Sequence, residues 1–135
     1  MELKECAPED AALLAEMNKQ LIEDEKASNP MDIGELKNRM TDFLNNGYKA
    51  FFFIVDGKIV GYALIDMTNE PKFLRQFFIK REERRKHYGE IAFNKLLKKI
   101  GTRKIEIDVL SWNETGLEFW KKMGFVEHWK HMRHI

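Results

Sequence analysis

The stretch Phe73-Leu74-Arg75-Gln76-Phe77-Phe78-Ile79, continuing as Lys80-Arg81-Glu82-Glu83-Arg84-Arg85-Lys86-His87-Tyr88-Gly89, decides the fold. Its first half is aromatic and apolar, a strand running into a basic loop. The helix that follows starts near Tyr88-Gly89, carries Phe93, Leu96, Leu97 and Ile100 at helical spacing, and closes at Gly101. Ile105, Ile107 and Val109 then alternate as another strand. The unit from Phe73 to Leu110 therefore predicts a right-handed parallel crossover. The start of its helix offers unpaired N–H groups and the positive end of a dipole, with Arg84, Arg85 and Lys86 just before it. That arrangement suits a phosphate.

Outward from this unit, Leu3 to Cys6 reads as a short first strand, and Pro8 opens a helix bearing Leu13, Leu14, Met17 and Leu21 on one face. Ser28-Asn29-Pro30 breaks it. Asp32 and Glu35 make a capping box for a second helix with Leu36, Met40, Phe43 and Leu44, ending near Gly47. Lys49 to Val55 and Ile59 to Ile65 are strands joined by an Asp56-Gly57 turn. Asn113 to Met123 is a helix, and Phe125 to Ile135 is expected to add one or two short strands. The order β-α-α-β-β-β-α-β-α-β predicts an α/β (α+β) chain, a mixed sheet with helices on both faces.

With 135 residues the chain suffices for one domain, residues 1–135, and not for two. A net charge of +1, from 23 basic and 22 acidic residues, argues against general nucleic-acid or membrane binding. The lone cysteine, Cys6, excludes an internal disulfide, and with no apolar leader at the N-terminus a cytoplasmic setting is expected. His128, His131 and His134 recur every third residue. In an extended tail that step turns them to alternating faces, so no metal site is expected. A homodimer is left open: Phe51, Phe52 and Phe53 bury both faces of their strand and single out no partner.

Two motifs carry a resemblance. Arg84-Arg85-Lys86-His87-Tyr88-Gly89 is similar to the phosphate loop, Gln/Arg-x-x-Gly-x-Gly/Ala, of the GCN5-related N-acetyltransferases (GNAT). Asn113-Glu114-Thr115-Gly116-Leu117-Glu118-Phe119-Trp120-Lys121-Lys122-Met123-Gly124-Phe125 resembles their Asn-x-x-Ala-x-x-Phe-Tyr-x-x-x-Gly-Phe. The element order fits as well, so the likeness covers nearly the whole chain. It departs at His87, in place of the loop's first glycine, and at Trp120, in place of a tyrosine that protonates the departing thiolate in many members.

The resemblance implies a mostly antiparallel GNAT sheet and acetyl-coenzyme A as co-substrate. The N–H groups of Arg85, Lys86, His87, Tyr88 and Gly89 would take the diphosphate, with charge added by Arg84 and Lys86. Backbone near Phe78 and Ile79 would meet the pantetheine amides and the oxyanion. Asn113, a helix cap on its own reading, would also bond the pantetheine arm, and Trp120 would wall its channel. The implied reaction is direct attack by a primary amine, on a small molecule or a protein, within a ternary complex. An alkylammonium of pKa ~10 must first lose a proton, to a carboxylate acting through water; of the candidates Asp24, Glu25, Asp66 and Asp108, Glu25 is the first choice. The alternative is a catalytically silent acetyl-coenzyme A-binding module, for which the tryptophan at position 120 is the argument.

Overall fold

The computed structural model describes residues 1–135. Strands β1 (Glu2–Glu5), β2 (Tyr48–Val55), β3 (Lys58–Asp66), β4 (Lys72–Ile79) and β5 (Ile105–Glu106) lie side by side in chain order. The first three pairings are antiparallel and β4–β5 is parallel. Four α-helices accompany them: α1 (Ala11–Glu25), α2 (Ile33–Asn45), α3 (Tyr88–Ile100) and α4 (Glu114–Lys122). Local signals act as expected. Asp32 accepts the Glu35 N–H at 2.8 Å while Glu35 accepts the Asp32 N–H at 3.1 Å, closing the capping box. Asp56 and Gly57, with φ of 51° and 74°, turn β2 into β3 through left-handed backbone.

The period-two alternation of the strands divides the core between two faces. Phe52, Tyr62, Leu64 and Phe78 pack against Leu14, Met17 and Leu21 of α1 and Met40 of α2. Phe51, Phe53, Ala63, Ile65 and Leu74 pack against Phe93 and Leu96 of α3. Three consecutive phenylalanines are thus buried on opposite sides of one strand.

One irregularity shapes the rest. Leu64 stands opposite Gln76 and Ile65 opposite Leu74, so Arg75 is an extra residue in β4, a bulge. A bulge bends its strand and shifts its side-chain alternation. Pairing with β5 is confined to Lys72–Ile105 and Phe73–Glu106, just before it. The strand expected to run to Leu110 therefore ends at Glu106, because β4 turns away; Ile107, Val109 and Leu110 stay half-buried without a ladder. A second expectation also fails. Phe125 to Ile135 forms no strand, and Val126, Trp129, Met132 and Ile135 are exposed. Their three-residue spacing puts apolar groups on alternating sides, leaving no face for a strand to bury.

Gly61 lies opposite Ile79, and a Cβ there would sit 2.0 Å from the Phe78 carbonyl oxygen. Gly61→Ala must push β3 from β4 and is expected to cost about 1–3 kcal/mol or more. A lowered midpoint in urea unfolding checks this; an unchanged midpoint contradicts it.

Candidate active site

Beyond Phe73 the outer edge of β4 has no strand beside it, and a cavity of about 210 Å³ opens there. Leu21, Ile22 and Glu25 line it from α1, Gln76 and Phe77 from β4, and Asp108 and Trp120 from the far side. The cleft thus passes through the gap where the sheet parts, the kind of place at which open α/β sheets bind ligands.

The loop leaving β4 makes a 3₁₀ turn at Arg81–Glu83 and then enters α3. Arg85 and His87 both take left-handed backbone, with φ of 65° and 61°. His87 adopts without glycine the conformation a glycine would favour, at the cost of some strain. No N–H from Arg85 to Glu90 has an acceptor within the protein. Consecutive unpaired amides between left-handed residues make a nest at the helix start, an arrangement that suits an anion.

The cations around the nest are distributed differently from the sequence reading. Arg84 donates to the Asp24 carboxylate and, at 3.0 Å, to the Ile79 carbonyl, and Arg81 donates to Asp24 as well. Lys86 pairs with Glu83 at 3.1 Å, and Lys58 reaches the same carboxylate at 2.6 Å. Arg84 and Lys86 are therefore committed to acids of the protein, and Arg85 is the loop arginine without one. The bonds from Lys58 first, then Lys86, hold the buried Glu83 carboxyl below its ordinary range.

The tip of α1 is tied on two sides. Asp24 grips the β4–α3 loop through Arg81 and Arg84, and the Trp112 indole N–H donates to the Glu25 carbonyl at 2.9 Å. Between these ties the Glu25 side chain lines the cavity. Burial, and then the neighbouring Asp24 charge, raises its pKa. Asn113 is the α4 cap, accepting the Gly116 N–H at 3.0 Å through Oδ1, and its Nδ2 has no acceptor. The Trp120 ring is set edge-on against Phe77, Phe93 and Phe125, with centroids 5.1, 5.4 and 5.4 Å away. Phe78 is buried toward α1, and Ile79 packs on the α3 side. The structure thus gathers Glu25 and Trp120 at the cavity and places the Arg85–Gly89 amides at the adjoining helix start. Cys6, buried, is pushed up to about 12 and stays a thiol.

Three polar residues of the cleft, Asn18, Arg39 and Gln76, have no role in the sequence reading. The buried Tyr62 hydroxyl donates to Gln76 Oε1 at 2.7 Å, and Arg39 donates to the buried Asn18 at 3.0 Å. Their signal was legible: Asn18 interrupts the Leu14-Met17-Leu21 stripe and Gln76 interrupts a phenylalanine-rich strand. The tail histidines are exposed, and nowhere do three His, Cys, Asp or Glu side chains converge. No helix is long and apolar enough to cross a membrane.

The model of the acetyltransferase (GNAT) family matches residues 14–125, and the chain belongs to that family. Its fold is shared by solved structures of low identity. A "possible acetyltransferase" from Clostridium difficile 630 is 18% identical, with TM-score 0.78 over 99% of this chain and 95% of that one. A ribosomal-protein-alanine N-acetyltransferase from Brucella melitensis biovar Abortus 2308 is 13% identical, with TM-score 0.75 over 99% and 98%. A "predicted acetyltransferase with acetyl-CoA" from Clostridium acetobutylicum is 18% identical, with TM-score 0.73 over 98% and 95%. No curated protein matches the sequence.

Glu83 offers a stability test. Its carboxyl is depressed in the folded state, so its contribution is present above the unfolded value of about 4.3 and is lost as pH falls through the folded one. Glu83→Gln should lower Tm at pH 7, and the gap to wild type should close below about pH 4. A gap that persists in acid contradicts the ion-pair account.

Proposed function

We propose that the protein is an acetyl-CoA-dependent N-acetyltransferase acting on a primary amine by direct attack within a ternary complex. The observation that carries this reading is the junction of the open β4 edge with the unpaired Arg85–Glu90 amides. An unpaired β edge is matched by the amide groups of a pantetheine arm, and the nest by a diphosphate.

Bound acetyl-CoA supplies an acyl group already activated as a thioester. The chain's own residues do the rest. The Arg85, Lys86, His87, Tyr88 and Gly89 amides hold the diphosphate, with the free Arg85 guanidinium beside them. Arg84, fixed by Asp24, keeps the loop in place. Backbone at Phe78 and Ile79 holds the arm and faces the reacting carbonyl. Asn113 Nδ2 adds a bond to the arm, and Trp120 walls the channel and excludes water.

Glu25 takes the proton from the amine. An alkylammonium at neutral pH is about a thousandth deprotonated, a barrier of roughly 4 kcal/mol that a base can relieve. The raised pKa moves Glu25 toward the optimum for such a base. The departing thiolate draws its proton from water, because Trp120 has no acidic proton and Tyr62 is buried, bonded to Gln76 and raised well above the usual phenol.

Glu25→Gln should lower kcat/KM by about 10²–10⁴-fold with acetyl-CoA affinity retained. The wild-type acid limb should lie above the ordinary glutamate range and vanish in the variant. Trp120 in the tyrosine's place favours one other reading, a silent acetyl-CoA-binding module. Free thiol followed with a panel of primary amines separates the two: cofactor binding with no thiol release on any amine selects the silent module.

A further inference from the structure

The cavity beside Glu25 has a second end, formed by two arginines that the acetyl-transfer reading does not use. Arg39 reaches it from α2 and Arg75 from the β4 bulge. Both guanidinium groups lie against the Phe43 ring, 5.6 and 5.0 Å from its centroid, and burial first, then the Arg75 charge, lowers the Arg39 pKa. Neither makes an ion pair: the partners are neutral, Asn18 for Arg39 and the Tyr48 hydroxyl for Arg75 at 2.9 Å. Arg39 Nε is buried with no acceptor at all. Asp66, held low first by the Thr68 hydroxyl and backbone N–H and then by the Arg75 charge and Tyr48, makes no ion pair with Arg75.

Arg39 keeps an unanswered buried donor beside a second, exposed cation, an arrangement that an anion in the cavity would complete. The bulge is what aims Arg75 here, and a regular strand would send it elsewhere. Asn18, the partner of Arg39, and Glu25 are seven residues apart on α1, about 10 Å along the axis. An amine at Glu25 and an anion at the arginines therefore belong to one molecule several bonds long.

We propose that the acceptor is a primary amine carrying an anionic group, a carboxylate or a phosphate, at its far end, seated between Glu25 and the Arg39–Arg75 pair. This rests on the acetyltransferase reading, because it takes Glu25 as the amine end. It runs against a polyamine or aminoglycoside acceptor, which would bring cations to these arginines.

Calorimetry on protein saturated with coenzyme A tests it, with coenzyme A affinity measured first. The probes are 6-aminohexanoate, its neutral amide, 1,6-diaminohexane and 5-aminopentylphosphonate. The expected result is that the carboxylate or the phosphonate binds about ten- to a hundredfold tighter than the amide. The tighter of the two names the anion. Arg75→Gln, at an exposed position, should keep its coenzyme A affinity and lose that preference. No measurable binding of either anionic probe, equal affinity for the amide, preference for the diamine, or a preference intact in Arg75→Gln each overturn the proposal. Failure of coenzyme A itself to bind overturns the acetyltransferase reading first, and the two failures are distinct.

Discussion

Strand β4 has a partner on one side only beyond Phe73, and the rest of the molecule is arranged around that constraint. A buried strand edge cannot be left bare cheaply, because each unmatched amide loses its water without regaining a bond. Here the bulge at Arg75 bends the strand away from β5 after two residue pairs, and the gap becomes a cleft instead of a ladder. The core on either face keeps the opening from collapsing. α1 and α2 cover one side through Leu14, Met17 and Met40, and α3 covers the other through Phe93 and Leu96.

The two ends of the cleft are then held in register by polar contacts across long stretches of chain. Asp24 joins the tip of α1 to the loop that enters α3, and Trp112 joins the same tip to the loop that enters α4. Exposed ion pairs contribute little to stability on their own. Their value here is geometric: they fix the distance between the candidate base on α1 and the amides at the start of α3. Charge in the loop serves first to shape it, through Arg81, Arg84 and Lys86, and among the loop arginines Arg85 remains for a ligand.

Much of this was legible in the sequence. The helical stripes, apart from Leu13, which α1 leaves exposed, the Asp32–Glu35 box, the Asp56-Gly57 turn and the parallel crossover follow from local rules that tertiary packing left intact. His87 in left-handed backbone was foreseeable from its place in the loop. The bulge was not, because alternation in Phe73–Ile79 is obscured by apolar residues on both faces, and so the end of β5 at Glu106 was missed. One or two short C-terminal strands were expected, although the spacing of Val126, Trp129 and Met132 spoke against them. Pairing of Arg84 with Asp24 spans sixty positions and has no local signature. The polar lining of the cleft was visible only as isolated breaks in apolar patterns, at Asn18 and Gln76, whose meaning depends on which helix meets which strand.

The most direct test of the central claim is amide hydrogen exchange, resolved by residue, with and without acetyl-CoA. The account places the carrier along the open edge of β4 and on the nest before α3. Amides of residues 74–79 that face the gap, and those of residues 85–90, should exchange fast in the free protein and become protected together at saturation. Binding that leaves both segments unprotected, or that protects only surfaces remote from the parted strands, would contradict it.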